Sequence, residues 1–407
     1  NAVTVRPLSA SANFTADTQA PSAFDPVSFQ DLSTAAPGPI TEWWWDFGDG
    51  VTSTLQHPVH GYTTAGTYTV SLMVTTALGA DTETKTGFIT VSAGVSPLED
   101  YVNAPDPYYG QYTLYEKTVV ESANGTYTLH RLNMTSQQWR SAAEVDKPVW
   151  RHWLTIVEPQ TIRFHTGLLL IEGGNNGRFD PPNPPTIDEE FIDVALFTGT
   201  VLVHLHGVPS EPLRFTDETI SRTEDQIIAY SYDKFMDSVK AGDPDPTWPV
   251  LGAMAKSAVC AMDVVQEYLV TGTGSPVVEK FVVSGGSKRG WTTWLTAVAD
   301  PVPGRIAAIM PIVIDVLNME KQMAHHRAVY GYWSPAIYSY AQMRVFERFG
   351  TPESDALLNI VDPYRRRDKL TMPKLIMNSS GDDFFVCASS QFYFSQLPGE
   401  NSLAYVP

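Results

Sequence analysis

The sequence predicts an all-β sandwich followed by an open α/β fold with a mostly parallel sheet. Three observations carry that expectation. Up to about residue 93, short segments alternate apolar and polar residues between turn residues. Beyond about residue 97, continuous apolar runs of strand length alternate with segments of helical length and period. One of those runs ends in a glycine-flanked serine that opens a helix.

Composition bounds the rest. At 407 residues, 43% hydrophobic and 18% charged, the chain is globular and too long for one ordinary core, so two domains are expected. A net charge of −18 repels a phosphate backbone, which excludes nucleic acid as a partner, and fits a well-solvated surface. With no apolar run of about 18 residues, no transmembrane segment is expected. The chain opens on Asn1 rather than Met and carries no signal peptide, which suggests a processed N-terminus and a secreted, extracellular or cell-surface protein. Its two cysteines, Cys260 and Cys387, allow one disulfide at most, or two buried thiols. So few sulfur ligands, and no spaced histidine pair on a helix, argue against zinc; no metal is expected.

In the first domain, residues 67–74 put every second side chain on one face, the period of a half-buried strand. Pro37-Gly38-Pro39, Gly48-Asp49-Gly50, Ala65-Gly66 and Leu78-Gly79 supply the turns. The run Trp45-Asp46-Phe47-Gly48-Asp49-Gly50, then Pro58-Val59-His60-Gly61-Tyr62, then Ala65-Gly66-Thr67-Tyr68-Thr69-Val70 resembles the PKD family, with boundaries at 8–94. Asp46 and Asp49 read as turn caps in preference to calcium ligands, and His60 as a structural histidine within the motif. The Trp43-Trp44-Trp45 run suggests carbohydrate or matrix binding, although Trp45 belongs to the core. The resemblance implies a spacer or binding module on a secreted protein, with self-assembly or a surface partner as its role.

The second domain, 97–407, begins with a hairpin at Asn124-Gly125 between strands over 112–120 and 126–135. Strands are expected over 166–171, 200–205, 280–284, 307–313 and 374–377, and helices over 224–239, 254–269 and 288–299. Where Phe281-Val282-Val283-Ser284 meets Gly285-Gly286-Ser287-Lys288-Arg289-Gly290, the pattern reads either as a nucleophile elbow, which lifts a serine hydroxyl above the sheet, or as a plain glycine-rich turn. The spacing is G-x-S-x-R-G where the general motif has G-x-S-x-G. Gly173-Gly174-Asn175, directly after a buried run, stands where this fold places an oxyanion loop, though a glycine turn reads the same way. Asp382 and Asp383 follow a late strand, the position of a triad acid or of a surface turn.

From about Pro97 to Pro407 the sequence is similar to the PhoPQ-activated pathogenicity-related family of α/β-hydrolases. The resemblance rests on Val149-Trp150-Arg151-His152-Trp153-Leu154, Arg222-Thr223-Glu224-Asp225-Gln226, Ala261-Met262-Asp263, Ser287-Lys288-Arg289-Gly290-Trp291, Ile314-Asp315-Val316-Leu317-Asn318-Met319 and Met372-Pro373-Lys374-Leu375-Ile376. It implies an α/β-hydrolase fold with a helical cap insertion. Ser287 becomes the nucleophile and Asp382 the acid, with Asp383 second. Gly174, Asn175 and Lys288 supply the oxyanion hole. The family's histidine lies a few residues beyond a segment like Leu403–Pro407, so this domain is expected to stop short of it; no other histidine is well placed. The Val386-Cys387-Ala388 run departs from the family's pattern and leaves room for a Cys260–Cys387 disulfide. Lys288 and Arg289 read either as attractors of an acidic substrate group or as salt-bridge partners under the helix start. Tyr330, Tyr332, Trp333, Tyr338 and Tyr340 lie in the expected cap, over 317–362. The implied activity is cleavage of an ester or amide bond in a small molecule or peptide through an acyl-enzyme on Ser287, without a cofactor. The alternative is a catalytically incomplete hydrolase fold acting as an extracellular binding or structural protein.

Overall fold

The computed structural model describes residues 9–36, 38–94, 96–179, 181–273 and 278–407. Leu8 and Pro37, named above as the start of the sandwich and of a turn, lie outside the described residues. Two compact units divide the chain. One holds the residues up to Ser96 with two later segments, Met236–Pro244 and Glu347–Asn359; the other holds the rest.

The N-terminal unit is built from short antiparallel strands. Thr52–Ser53, Ile40–Asp46, Gly66–Thr76 and Gly79–Val91 form one sheet in that order, and Phe14–Ala16, Pro26–Asp31 and Val59–Gly61 another. Their inward residues close on Trp45, which has no exposed surface and meets Phe14 at 5.2 Å and Phe29 at 5.7 Å between ring centroids. Its indole N–H donates to the Leu55 carbonyl (2.9 Å), so the burial leaves no orphaned donor. Asp46 Oδ1 accepts the Gly48 amide and Asp49 Oδ1 the Val51 amide, both at 2.9 Å, while the second Asp49 oxygen meets His60 Nε2 at 2.8 Å. Both aspartates therefore cap turns, and His60, stacked on Phe47, is structural. Of the tryptophan run only Trp44 is exposed; Trp43 donates to Asp31.

Among the described residues, the second unit is organised by nine strands: β1 (Gln111–Ser122), β2 (Gly125–Gln138), β3 (Val149–Pro159), β4 (Thr166–Ile171), β5 (Leu202–His206), β6 (Lys280–Gly286), β7 (Ile306–Ile312), β8 (Lys374–Ser379) and β9 (Asn401–Val406). They form one sheet in the order β1-β2-β3-β5-β4-β6-β7-β8-β9. Pairing is antiparallel from β1 to the β3–β5 ladder and parallel from there to β9. The hairpin and the five strands expected from sequence are all present, within a few residues at each end. So are the three helices, labelled with their neighbours as α1 (Glu189–Thr198), α2 (Asp225–Lys240), α3 (Val250–Tyr268), α4 (Lys288–Ala299) and α5 (Met319–Tyr330). Helix α3 begins four residues before its expected start because Pro249 occupies its N-cap. It packs on one face of the sheet, where Ser257 meets Ser136, and α1 packs on the other through Ala195 against Val157 and Leu202. No helix among the described residues is long and apolar enough to cross a membrane.

The sandwich core generates a stability test. Trp45→Ala removes the largest side chain at the centre of that unit, and truncations of this kind cost about 3–5 kcal/mol. Calorimetry of the whole chain is expected to show the transition of this unit moving down by several degrees or disappearing. An unchanged thermogram would mean that the aromatic cluster is not what holds this unit.

Candidate active site

Strand β6 rises through the centre of the sheet and breaks at Ser287, where α4 begins. Ser287 has φ 55° and ψ −125°, a left-handed conformation that a residue with a Cβ adopts only under constraint. Two contacts impose it: the Ser287 amide donates to the Ile312 carbonyl (2.8 Å), and the Ser287 carbonyl accepts from the Trp291 amide (3.0 Å). The irregular spacing of the motif has a steric explanation. A Cβ at Gly285 would lie 2.7 Å from Arg289, and one at Gly290 would lie 2.5 Å from Ile314 Cγ2 and 2.9 Å from the Gly285 carbonyl. The close approach that needs a glycine thus falls at 290, which frees 289 for a long side chain.

Arg289 uses that freedom. Its guanidinium grips Glu224 through two hydrogen bonds (2.8 and 2.7 Å), while Nε donates to the Val208 carbonyl (2.6 Å). It lies so close under the loop after β4 that a Cβ on Gly173 would fall 2.2 Å from Nη2. Lys288 pairs with Asp225 at 2.7 Å and lies over the Phe384 ring. The salt-bridge reading of both cations is therefore the observed one. Glu211 completes the group. It is buried, it accepts the Glu224 amide (2.7 Å), and burial pushes its carboxyl up to about 7.

Ser287 opens into a narrow apolar pocket of about 40 Å³. Trp291, Ile314, Met319, Tyr340, Phe346 and Phe385 are among its walls, and Tyr340 donates its hydroxyl to Asp225 (2.9 Å). Of the five cap aromatics named from sequence, Tyr340 lines the pocket; Tyr332 and Tyr338 are exposed.

The expected partners are placed unequally. Lys288 lines the Ser287 pocket, with its amide at the first position of α4, where a helix leaves N–H groups without an intrahelical acceptor. Gly174 and Asn175 line a second cavity, about 220 Å³, together with Glu172, Gly173, Arg178 and His206. The Asn175 side chain is folded back onto the Gly177 amide (2.7 Å). Asp382 is half-buried, and its Oδ1 accepts the amides of Phe384 (2.8 Å) and Phe385 (3.2 Å), two residues of the pocket wall. Burial, with the neighbouring Asp383 charge, raises its pKa. Asp383 itself is exposed.

Sequence reasoning passed over Asp315, quoted only within a longer run. This carboxyl follows β7, is 3% exposed, and sits beside Tyr393, Asn378 and the charge of Asp382; burial pushes its pKa up to about 6. The available signal was an aspartate inside an apolar run just after a strand. Among the described residues no histidine lines the Ser287 pocket. His326 Nε2 accepts the Ser334 amide, and His325 packs on Phe392. The two cysteines form no disulfide. Cys260 is buried, which pushes its thiol up to about 12, and Cys387 is exposed with its thiol directed at the Ser380 carbonyl.

The PhoPQ-activated pathogenicity-related proteins match residues 98–407, three quarters of the sequence. The chain belongs to that family. A PKD domain matches residues 10–91. The autocrine proliferation repressor protein A of Dictyostelium discoideum is 39% identical over 315 residues, which are 77% of this PhoPQ-related chain and 60% of that protein. The chain thus spans about three fifths of the length of that relative. Among solved structures, acetyl xylan esterase 1 from Thermoanaerobacterium sp. JW/SL YS485 aligns with TM-score 0.49 at 13% identity, covering 77% of this chain and 89% of its own. A PKD domain of Vibrio anguillarum Epp is 36% identical and covers 21% of this chain and 95% of its own, with TM-score 0.19.

Two outcomes follow for the charged group. Glu211 titrates above its ordinary 4.5 in the folded state, so its contribution to stability is full below that value and is lost as pH rises through about 7. Glu211→Gln keeps a carbonyl acceptor for the Glu224 amide without the buried charge. The melting temperature of the variant relative to wild type is expected to be more favourable at pH 8 than at pH 5; equal differences would refute the assignment. Arg289→Lys cannot span Glu224 and Val208 together, and is expected to cost about 3 kcal/mol in chemical denaturation.

Proposed function

We propose that the PhoPQ-related domain is a secreted serine hydrolase that cleaves an ester or amide through an acyl-enzyme on Ser287. One observation carries the reading: a serine held at left-handed φ where a central strand turns into a helix, with an apolar pocket beside it. In the proposed step Ser287 Oγ bonds to the substrate carbonyl carbon as its proton passes to an imidazole. The Lys288 amide faces the developing oxyanion, and the Gly173–Asn175 loop is assigned the second donor. Collapse of the adduct expels the leaving group with that proton, and water then releases the acid. The base is assigned to a histidine after β9, the position this fold gives it, and Asp382 to orienting it. A pocket of about 40 Å³ favours a short acyl group.

A second reading has an observation of its own. No histidine among the described residues lines the Ser287 pocket, which favours a hydrolase fold used for binding or assembly at the cell surface. The Dictyostelium relative, moreover, is named for autocrine repression of proliferation.

The full-length protein decides between them. Under the first reading a fluorophosphonate probe labels Ser287, and p-nitrophenyl acetate is turned over faster than the octanoate. Ser287→Ala abolishes both reactions, and Asp382→Asn lowers kcat by roughly three to four orders of magnitude. A folded protein that neither labels nor turns over an acetate ester or amide overturns the first reading.

A further inference from the structure

At the edge of the cavity beside the Gly173–Asn175 loop lies a group of side chains that the serine chemistry does not use. His204 and His206 are alternate residues of β5 and so project from one face of the sheet. The parallel register of β4 against β5, Leu170 opposite His204 and Ile171 opposite Leu205, brings Glu172 to the same face just past the end of β4. Each of the three offers a ligand atom, and these atoms all lie within 4.8 Å of one another. The two imidazole centroids are 3.8 Å apart.

His204 is only 4% exposed, yet neither of its ring nitrogens has a hydrogen-bond partner. His206 Nε2 is likewise buried without one, as is the hydroxyl of Thr155, directly opposite His204 in the β3–β5 ladder. The nearest Glu172 oxygen is 3.9 Å from His204 Nε2, beyond hydrogen-bonding distance. Buried imidazole nitrogens are ordinarily satisfied, and a set of them left open toward a carboxylate is the arrangement that a cation would complete.

We infer that Glu172, His204 and His206 form a site for a divalent first-row transition ion, zinc foremost, bound by two imidazole nitrogens and one carboxylate oxygen. Nitrogen and carboxylate ligands of this kind suit Zn²⁺, for which bonds are about 2.0–2.2 Å. Ligand atoms around such an ion stand roughly 3.3–3.5 Å apart, so the present spacing closes by about an ångström. Glu172, with a side chain 45% exposed, is free to swing and supply that movement. Glu172 and His206 also line the 220 Å³ cavity, which leaves the remaining coordination position open to water or to an anionic ligand favoured by Arg178. The ion joins the ends of β4 and β5 at the root of the glycine loop. No sulfur ligand or helical histidine pair is needed here, because a strand brings residues two apart to one face.

The test uses the whole chain, stripped with a chelator and titrated with ZnCl₂ by calorimetry, with metal content read by mass spectrometry. One equivalent is expected to bind saturably and to raise the melting temperature. Co²⁺ in its place is expected to give the visible absorption of a nitrogen- and oxygen-ligated ion. Glu172→Gln, at a half-exposed position that the fold tolerates, is expected to weaken binding at least tenfold, and His206→Asn at least a hundredfold. Cys387→Ser is expected to leave binding intact. Absence of saturable binding, an affinity that Glu172→Gln leaves unchanged, or a site lost with Cys387 would each overturn the inference.

Discussion

The second domain depends on one buried cation. Arg289 sits in the first turn of α4, directly after the serine, and its guanidinium reaches three segments that are far apart in sequence. It ties Glu224 at the start of α2, the Val208 carbonyl after β5 and the underside of Gly173 after β4 into one layer. A planar guanidinium makes this possible, because its donors point in fixed directions and can serve a carboxylate and a carbonyl together. Removing it would leave Glu224 and Glu211 crowded together without their common counter-charge, the costly way to break a buried pair. Gly173 follows from its volume, because a Cβ there would strike the guanidinium, whereas a Cβ at Gly285 would strike the Cβ and main-chain carbonyl of residue 289.

How far each strand and helix can be read from the sequence depends on how it is covered. Strands Thr166–Ile171 and Lys280–Gly286 lie between parallel neighbours, so their central residues, 168–171 and 281–283, form continuous apolar runs that are easily recognised. Strand β9 lacks that signature because it is an edge strand, covered on one side and largely open to water. Strand β3 interleaves Arg151, His152 and Thr155 among its apolar residues, which hid its length although its first half was quoted for other reasons. Helix α1 carries acidic residues in its first turn and buries only Ala195 fully, so its pattern is faint.

The site was legible where its chemistry is local in sequence and obscure where it is assembled by pairing. The Ser287 elbow is a six-residue pattern and could be read directly. Asp315 and Asp382 lie 67 positions apart and meet only because β7 and β8 are neighbours in the sheet. The loop after β4 is assembled by pairing as well. Its position after β4 followed from sequence, but the direction of its residues is set by the Gly207 amide on the Gly173 carbonyl and by the Glu211 carbonyl on the Asn176 amide. Those contacts turn Gly174 and Asn175 toward the neighbouring cavity.

Position 287 carries a thermodynamic conflict. At a φ of 55° with this ψ, every side chain with a Cβ pays a backbone penalty of about 1–3 kcal/mol, and glycine pays almost none. The most stable residue at this point of the sheet is therefore one with no hydroxyl, and a chain selected for thermal endurance alone would drift there. Directed evolution for robustness that screens only for folded protein would erode this position first, and would report success while doing so.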